Sequence, residues 1–169
     1  MPDTLSTHRA SWWKGTRGEW YVVIQVALMA LVVFGPRTWP GGNLLSLAPS
    51  GVWTAASVLL MLGGVGLTLA GGLWLGRRNL TPVPCPREGG TLVDSGPFAV
   101  VRHPMYGGGI LFAFGWAIYV RGPLTLAYAV ALLVFADVKA RREERWLREA
   151  FPGYEAYQRR VRKLIPLLY

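Results

Sequence analysis

Charge is scarce in this sequence, and cysteine and histidine scarcer still. Only 16% of its 169 residues are charged, against roughly 25% in an ordinary soluble domain. A water-facing surface of the usual kind is therefore excluded. The single cysteine, Cys85, rules out an internal disulfide. It sits among prolines in "TPVPCPREGG" with no histidine nearby in sequence, so it reads as structural and not as a nucleophile. The two histidines, His8 and His103, form no metal-ligand spacing with it, and no metal is expected. Acidic residues number nine against eighteen basic ones, a net charge of +9. The basic residues lie beside apolar runs, where a membrane explains them, and nucleic acid is rejected as a partner.

What is abundant is apolar. Hydrophobic residues make up 52% of the chain, with eight Trp, seven Tyr and twenty-one Gly. Aromatics belt membrane interfaces, and glycine is tolerated in membrane helices. The composition predicts an all-α, polytopic membrane protein forming a single integral membrane domain over 1–169. Four apolar segments carry it, at 20–34, 52–75, 107–120 and 124–136. The first, "WYVVIQVALMALVVF", is interrupted only by Gln25. It is followed by "GPRTWPGG" and no small-residue cleavage site, so it reads as a retained span. The second is uncharged and ample for a hydrocarbon core of about 30 Å. The third and fourth, about 21 and 20 Å as helices, are short for complete spans. "RGP" at 121–123 joins them as a tight hairpin, whose arms are either lengthened by their flanks or re-entrant.

Charge placement sets the expected orientation. Only Arg37 and Arg121 fall on one side of these segments; the other sixteen of the eighteen basic residues fall on the opposite side. By the positive-inside rule both termini and the loop between the second and third segments are cytoplasmic, in the inner (cytoplasmic) membrane. "GGVGLTLAGG" superficially resembles a phosphate loop, but it is embedded in an apolar run with no strand before it. Gly63, Gly64, Gly66, Gly71, Gly72 and Gly76 are expected to admit neighbouring helices, with Gly72 and Gly76 as a small-xxx-small pair. In the charged C-terminal tail, Tyr154, Tyr157, Val161 and Leu164 recur at helical spacing. That predicts an amphipathic cytoplasmic helix on anionic lipid, broken in two by "FPG" at 151–153.

Two polar clusters flank the hairpin. Arg102, His103 and Tyr106 stand in "GPFAVVRHPMYGGG" at the mouth of the third segment. An arginine at a bilayer centre costs about 2.5–3.5 kcal/mol, so these groups either snorkel to headgroups or meet a charged ligand. The second cluster is Lys139, Glu143 and Glu144. Lys139 and Glu143 share a helix face, and Glu144 with Arg148 has the spacing of a surface i,i+4 bridge. Bracketing one hairpin, the clusters point to a shared pocket at its cytoplasmic mouth.

These residues carry a resemblance. "LVDSGPFAVVRHPMYGG", then "KARREERWL" and "FPGYEAYQRRVRKLIP", resemble the isoprenylcysteine carboxyl methyltransferases and the related membrane phospholipid methyltransferases, over about residues 90–166. The resemblance implies an enzyme using S-adenosyl-L-methionine without a Rossmann domain, its cofactor held by elements at 90–106 and 137–166. By position, Thr91, Leu92 and Val93 would line the cofactor with backbone and Phe98 with its ring. His103, Pro104, Met105 and Tyr106 would form the motif's centre, and Glu143 is the first glutamate of the family's EE pair. Glu143 can accept hydrogen bonds from the cofactor's amino group, and His103 and Tyr106 can hold its carboxylate or ribose. Aromatic faces suit a sulfonium. Lys139 stands where the prenylcysteine enzymes carry Arg and would bind the methyl acceptor. The acceptor is a lipophilic small molecule, lipid or lipidated substrate, with a carboxylate preferred. The alternatives are a phospholipid N-methyltransferase and a non-catalytic membrane protein keeping the fold.

Overall fold

The computed structural model describes residues 18–43, 51–80 and 89–164. The calls on Arg9, Lys14, Arg17, Cys85 and Arg87, and on His8, lie outside the described residues. Within them the structure is helical, with no strand beyond one isolated bridge between Val101 and Arg162. The elements are α1 (Glu19–Phe34), α2 (Gly51–Asn79), α3 (Pro97–Val100), α4 (Pro104–Val120), α5 (Pro123–Ala150) and α6 (Tyr154–Arg160).

Local chemistry sets these boundaries. Pro104 and Pro123 open α4 and α5 at positions where a missing N–H leaves no bond unmade. Arg121 adopts a left-handed conformation (φ 53°) and, with Gly122, turns the chain between them. α5 ends at Ala150, because Phe151 precedes Pro152 and is extended. The hairpin arms are thus lengthened by their flanks, to 17 and 28 residues. Gly51–Arg77 and Pro123–Ala150 are long and apolar enough to cross a membrane, while Glu19–Phe34 and Pro104–Val120 are shorter apolar helices. Apolar side chains cover the outward faces, including Leu73 at 83% exposure and Leu59 at 69%. A lipid environment accepts such a surface where water would not.

The main packing seam joins α2 to α4. A Cβ on Gly64 would stand 2.5 Å from the Gly108 carbonyl oxygen, so the two backbones nearly touch. The expected glycine interface is therefore real but narrower than the sequence suggested. Gly63, Gly66 and Gly76 have no neighbour within 4 Å of a notional Cβ. Gly76 instead kinks α2 with φ of 70°, which overturns its pairing with Gly72. α1 packs on α5, where Tyr21 and Phe135 rings lie 5.9 Å apart. Val32, Ala113, Ala129 and Leu132 from α1, α4 and α5 form one buried cluster.

The tail departs from expectation. α6 stops at Arg160, and the chain then runs beside the segment before α4, with Arg102 N–H donating to Arg162 O (2.8 Å) and His103 N–H to Lys163 O (3.1 Å). Tyr154, Tyr157, Val161 and Leu164 are all buried against protein. Tyr154, Tyr157 and Val161 pack with Phe98, while Leu164 joins Ile110 and Ala136. The tail's apolar face is thus a core face. Arg159, Arg160 and Arg162 remain exposed.

Candidate functional site

The start of α4, the polar half of α5, the loop before α3 and the tail converge on one cavity of about 470 Å³. This lies within the size range of small-molecule sites. Thr91, Leu92, Val93, Phe98, His103, Pro104, Met105, Tyr106, Lys139 and Glu143 all line it, so the structure brings every candidate residue together. The loop is fixed from α2: Asn79 Oδ1 accepts from Thr91 N–H (2.8 Å), and Trp74 Nε1 donates to Ser95 Oγ (3.0 Å). Gly96, at φ 59°, lies against the Trp74 ring, where a side chain would collide.

The polar groups form two linked sets. In the first, Tyr106 Oη donates to Glu143 Oε2 at 2.7 Å. The Tyr106 ring stacks on His103, with centroids 5.3 Å apart and an interplanar angle of 6°. In the second, buried Glu144 takes Arg102 Nε at 2.8 Å and His103 Nε2 at 3.1 Å on one oxygen, and Gln158 Nε2 at 2.9 Å on the other. The expected surface bridge from Glu144 to Arg148 is therefore wrong. Glu144 is turned inward, and Arg148 reaches Gln158 instead. Arg102 also donates from Nη1 to the carbonyls of Gln158 and Val161. Its charge is thus spent on a carboxylate and on backbone inside the protein. Glu144 lies eight residues past Ala136, where the apolar run ends. Burial there opposes its charge, and the hydrogen bonds from Arg102, His103 and Gln158 offset that cost. Burial pushes the Tyr157 hydroxyl up, and that group donates to Phe98 O at 2.7 Å.

His103 and Tyr106 are consequently less free than expected. His103 commits Nε2 to Glu144 and leaves Nδ1, which is 3.7 Å from Glu143 Oε2, toward the cavity side of the cluster. Lys139 does not pair with Glu143. Its Nζ donates to Gln25 Oε1 of α1 at 2.6 Å and lies 5.0 Å from the Tyr106 ring centroid.

Gln25, Tyr154 and Tyr157 are among the lining residues that escaped the sequence reading. Gln25 had a signal, as the one polar residue in an apolar run. Tyr154 Oη is buried without a hydrogen-bond partner among the described residues, an orphan that a bound ligand would satisfy. A second cavity of about 340 Å³ adjoins the first, and the two share Gln25, Thr68, Met105 and Tyr106. Its other walls are mostly apolar, among them Met29, Leu69, Ile110, Leu132 and Phe135. Among the described residues no group of three His, Cys, Asp or Glu side chains is placed to hold a metal ion.

A helical scaffold with apolar outer faces and two adjoining cavities, the first of which gathers the polar side chains, defines a membrane-type protein. The family model described as phospholipid methyltransferase matches residues 52–153, more than half of the chain. The chain belongs to the phospholipid methyltransferase family. It is 32% identical over 176 residues to the cobalt-zinc-cadmium resistance protein CzcN of Cupriavidus metallidurans, covering 99% of this chain and 68% of that protein. It is also 31% identical over 154 residues to the nickel-cobalt-cadmium resistance protein NccN of Alcaligenes xylosoxydans xylosoxydans, covering 89% of this chain and 64% of that protein.

Proposed function

We propose that this protein is an S-adenosyl-L-methionine-dependent membrane methyltransferase acting on a lipophilic acceptor, a carboxylate in preference to an amine headgroup. The observation that carries the proposal is the pair of adjoining cavities, one setting Lys139, Glu143 and an orphaned Tyr154 hydroxyl among apolar walls, the other lined almost wholly by apolar side chains. The residues present fit the cofactor. Glu143 offers carboxylate oxygens to an amino group, Tyr154 an unspent donor, Phe98 and Tyr106 aromatic faces, and Thr91 to Val93 their backbone. When bound, the cofactor supplies an electrophilic methyl group on a sulfonium sulfur. The acceptor's headgroup lies by Lys139 and its chain in the apolar chamber. Lys139 would hold the acceptor's carboxylate toward that sulfonium, from which the carboxylate would take its methyl group. No proton has to be removed, because the acid is already ionised.

Four membrane-embedded helices with both termini cytoplasmic complete the proposal, supported by the basic asymmetry of sixteen to two. A phospholipid N-methyltransferase is the second reading, favoured by the family's description. An amine acceptor must lose a proton before it attacks. Labelled methyl transfer into lipophilic acids and into phosphatidylethanolamine separates the two. Alkali-labile label released as methanol is expected; stable label in the lipid headgroup supports the second reading. No transfer, together with no cofactor binding, supports a non-catalytic protein.

A further inference from the structure

Lys139 is a buried cation, 3% exposed, whose hydrogen-bond partner is a neutral amide and whose other neighbour is the face of Tyr106. No carboxylate pairs with it among the described residues, since Glu143 one turn on is engaged by Tyr106. The one carboxylate that acts on this buried ammonium, Glu143, makes no ion pair with it, so the site still favours an incoming anion and disfavours an incoming ammonium. Gln25 stands at the same point. It interrupts an apolar helix, lines both cavities, and lies 2.6 Å from Nζ. An ammonium can only donate, so the amide oxygen is the atom facing Lys139. The Nε2 group then lies on the far side of the amide, with two donors that have no partner among the described residues.

We propose that Gln25 is a specificity-determining residue of the acceptor site, its Nε2 donors and the Lys139 ammonium together receiving the carboxylate of a lipophilic acid whose chain occupies the apolar chamber. This rests on the methyltransferase reading for what happens to the carboxylate, but not for its binding. The amide has a double role: its oxygen aims Lys139, and its nitrogen contacts the acceptor. An amine headgroup would meet only hydrogen-bond donors and a positive charge.

The test measures binding of N-acetyl-S-farnesylcysteine and of its methyl ester to the full chain in nanodiscs, with S-adenosylhomocysteine affinity measured on the same samples. The wild type is expected to prefer the acid over the ester by about tenfold or more, the worth of charge-assisted hydrogen bonds. Gln25→Met should lower that preference about tenfold through the same loss. Gln25→Glu keeps an oxygen for Lys139 but sets a carboxylate oxygen where the donors were, so it should remove or reverse the preference. S-adenosylhomocysteine affinity should be unchanged in both variants, which also reports that they fold. If Gln25 served only to hold Lys139, Gln25→Glu would match or exceed the wild type, and that result overturns the proposal. So does a wild type that fails to distinguish acid from ester, whatever the variants do. A wild type that distinguishes them yet binds no S-adenosylhomocysteine leaves Gln25 its role and removes the methyltransferase reading instead.

Discussion

Glu143 and Lys139 stand one turn apart on α5 and face one cavity, yet their partners differ: Tyr106 for the first, Gln25 for the second. Their substitutions should separate accordingly. Glu143→Gln is expected to weaken S-adenosylhomocysteine binding by about 1–3 kcal/mol, the range for leaving a polar partner unsatisfied. Lys139→Ala should leave that binding nearly intact and abolish methyl transfer, while Lys139→Arg stays active; wild-type turnover in Lys139→Ala would shift the assignment to an amine acceptor. Tyr154→Phe removes only the orphaned hydroxyl. It should weaken S-adenosylhomocysteine without loss of stability, because none of the described residues bonds to that oxygen. His103, Tyr106 and Glu143 were legible in the sequence because they sit in compact motifs. Glu144 was misread because helical spacing sees only neighbours on one helix, and its partner Arg102 is 42 residues away. Gln25 and Lys139 are 114 residues apart, beyond any local pattern.

At the scale of elements, the tail and the α2–α4 seam hold the site's walls. Arg102 and Glu144 are both buried as side chains, at 8% and 5% exposure. Removing one partner leaves the other's charge unpaired, at a typical cost of about 3–5 kcal/mol. Glu144→Ala should therefore lower thermal stability in detergent steeply and free 154–164 for proteolysis; a variant as stable as wild type would show the cluster to be ornamental. Along the seam, a Cβ on Gly108 meets the Gly64 carbonyl oxygen at 2.5 Å and the Thr68 backbone nitrogen at 2.8 Å. Neither atom can yield, so Gly108→Ala should cost about 1–3 kcal/mol by overpacking. Gly66→Ala, in open space, should be neutral or gain up to about 1 kcal/mol from helix propensity. Helix lengths and breaks were legible, since prolines and apolar runs mark them locally. Which glycines meet a neighbour was not, because that depends on the rotation of α2 against α4. The tail's break at 151–153 was legible, but what its apolar face meets was not: periodicity shows that Tyr154, Tyr157 and Val161 share a direction, not what lies there.

For the whole molecule, the basic asymmetry predicts that Asn43 and Ser95 lie on opposite sides of the membrane. Single cysteines at these positions, with Cys85 replaced by Ser, should label from opposite faces with an impermeant reagent. Labelling of both from one face would contradict four membrane-embedded helices. The central claim is that the cavity between α4, α5, the loop before α3 and the tail receives S-adenosyl-L-methionine. The most direct measurement is a calorimetric titration of the purified wild-type chain with S-adenosylhomocysteine. Saturable one-site binding is predicted, with affinity on the order of micromolar, about −8 kcal/mol. A folded protein that gives no saturable binding would contradict the claim.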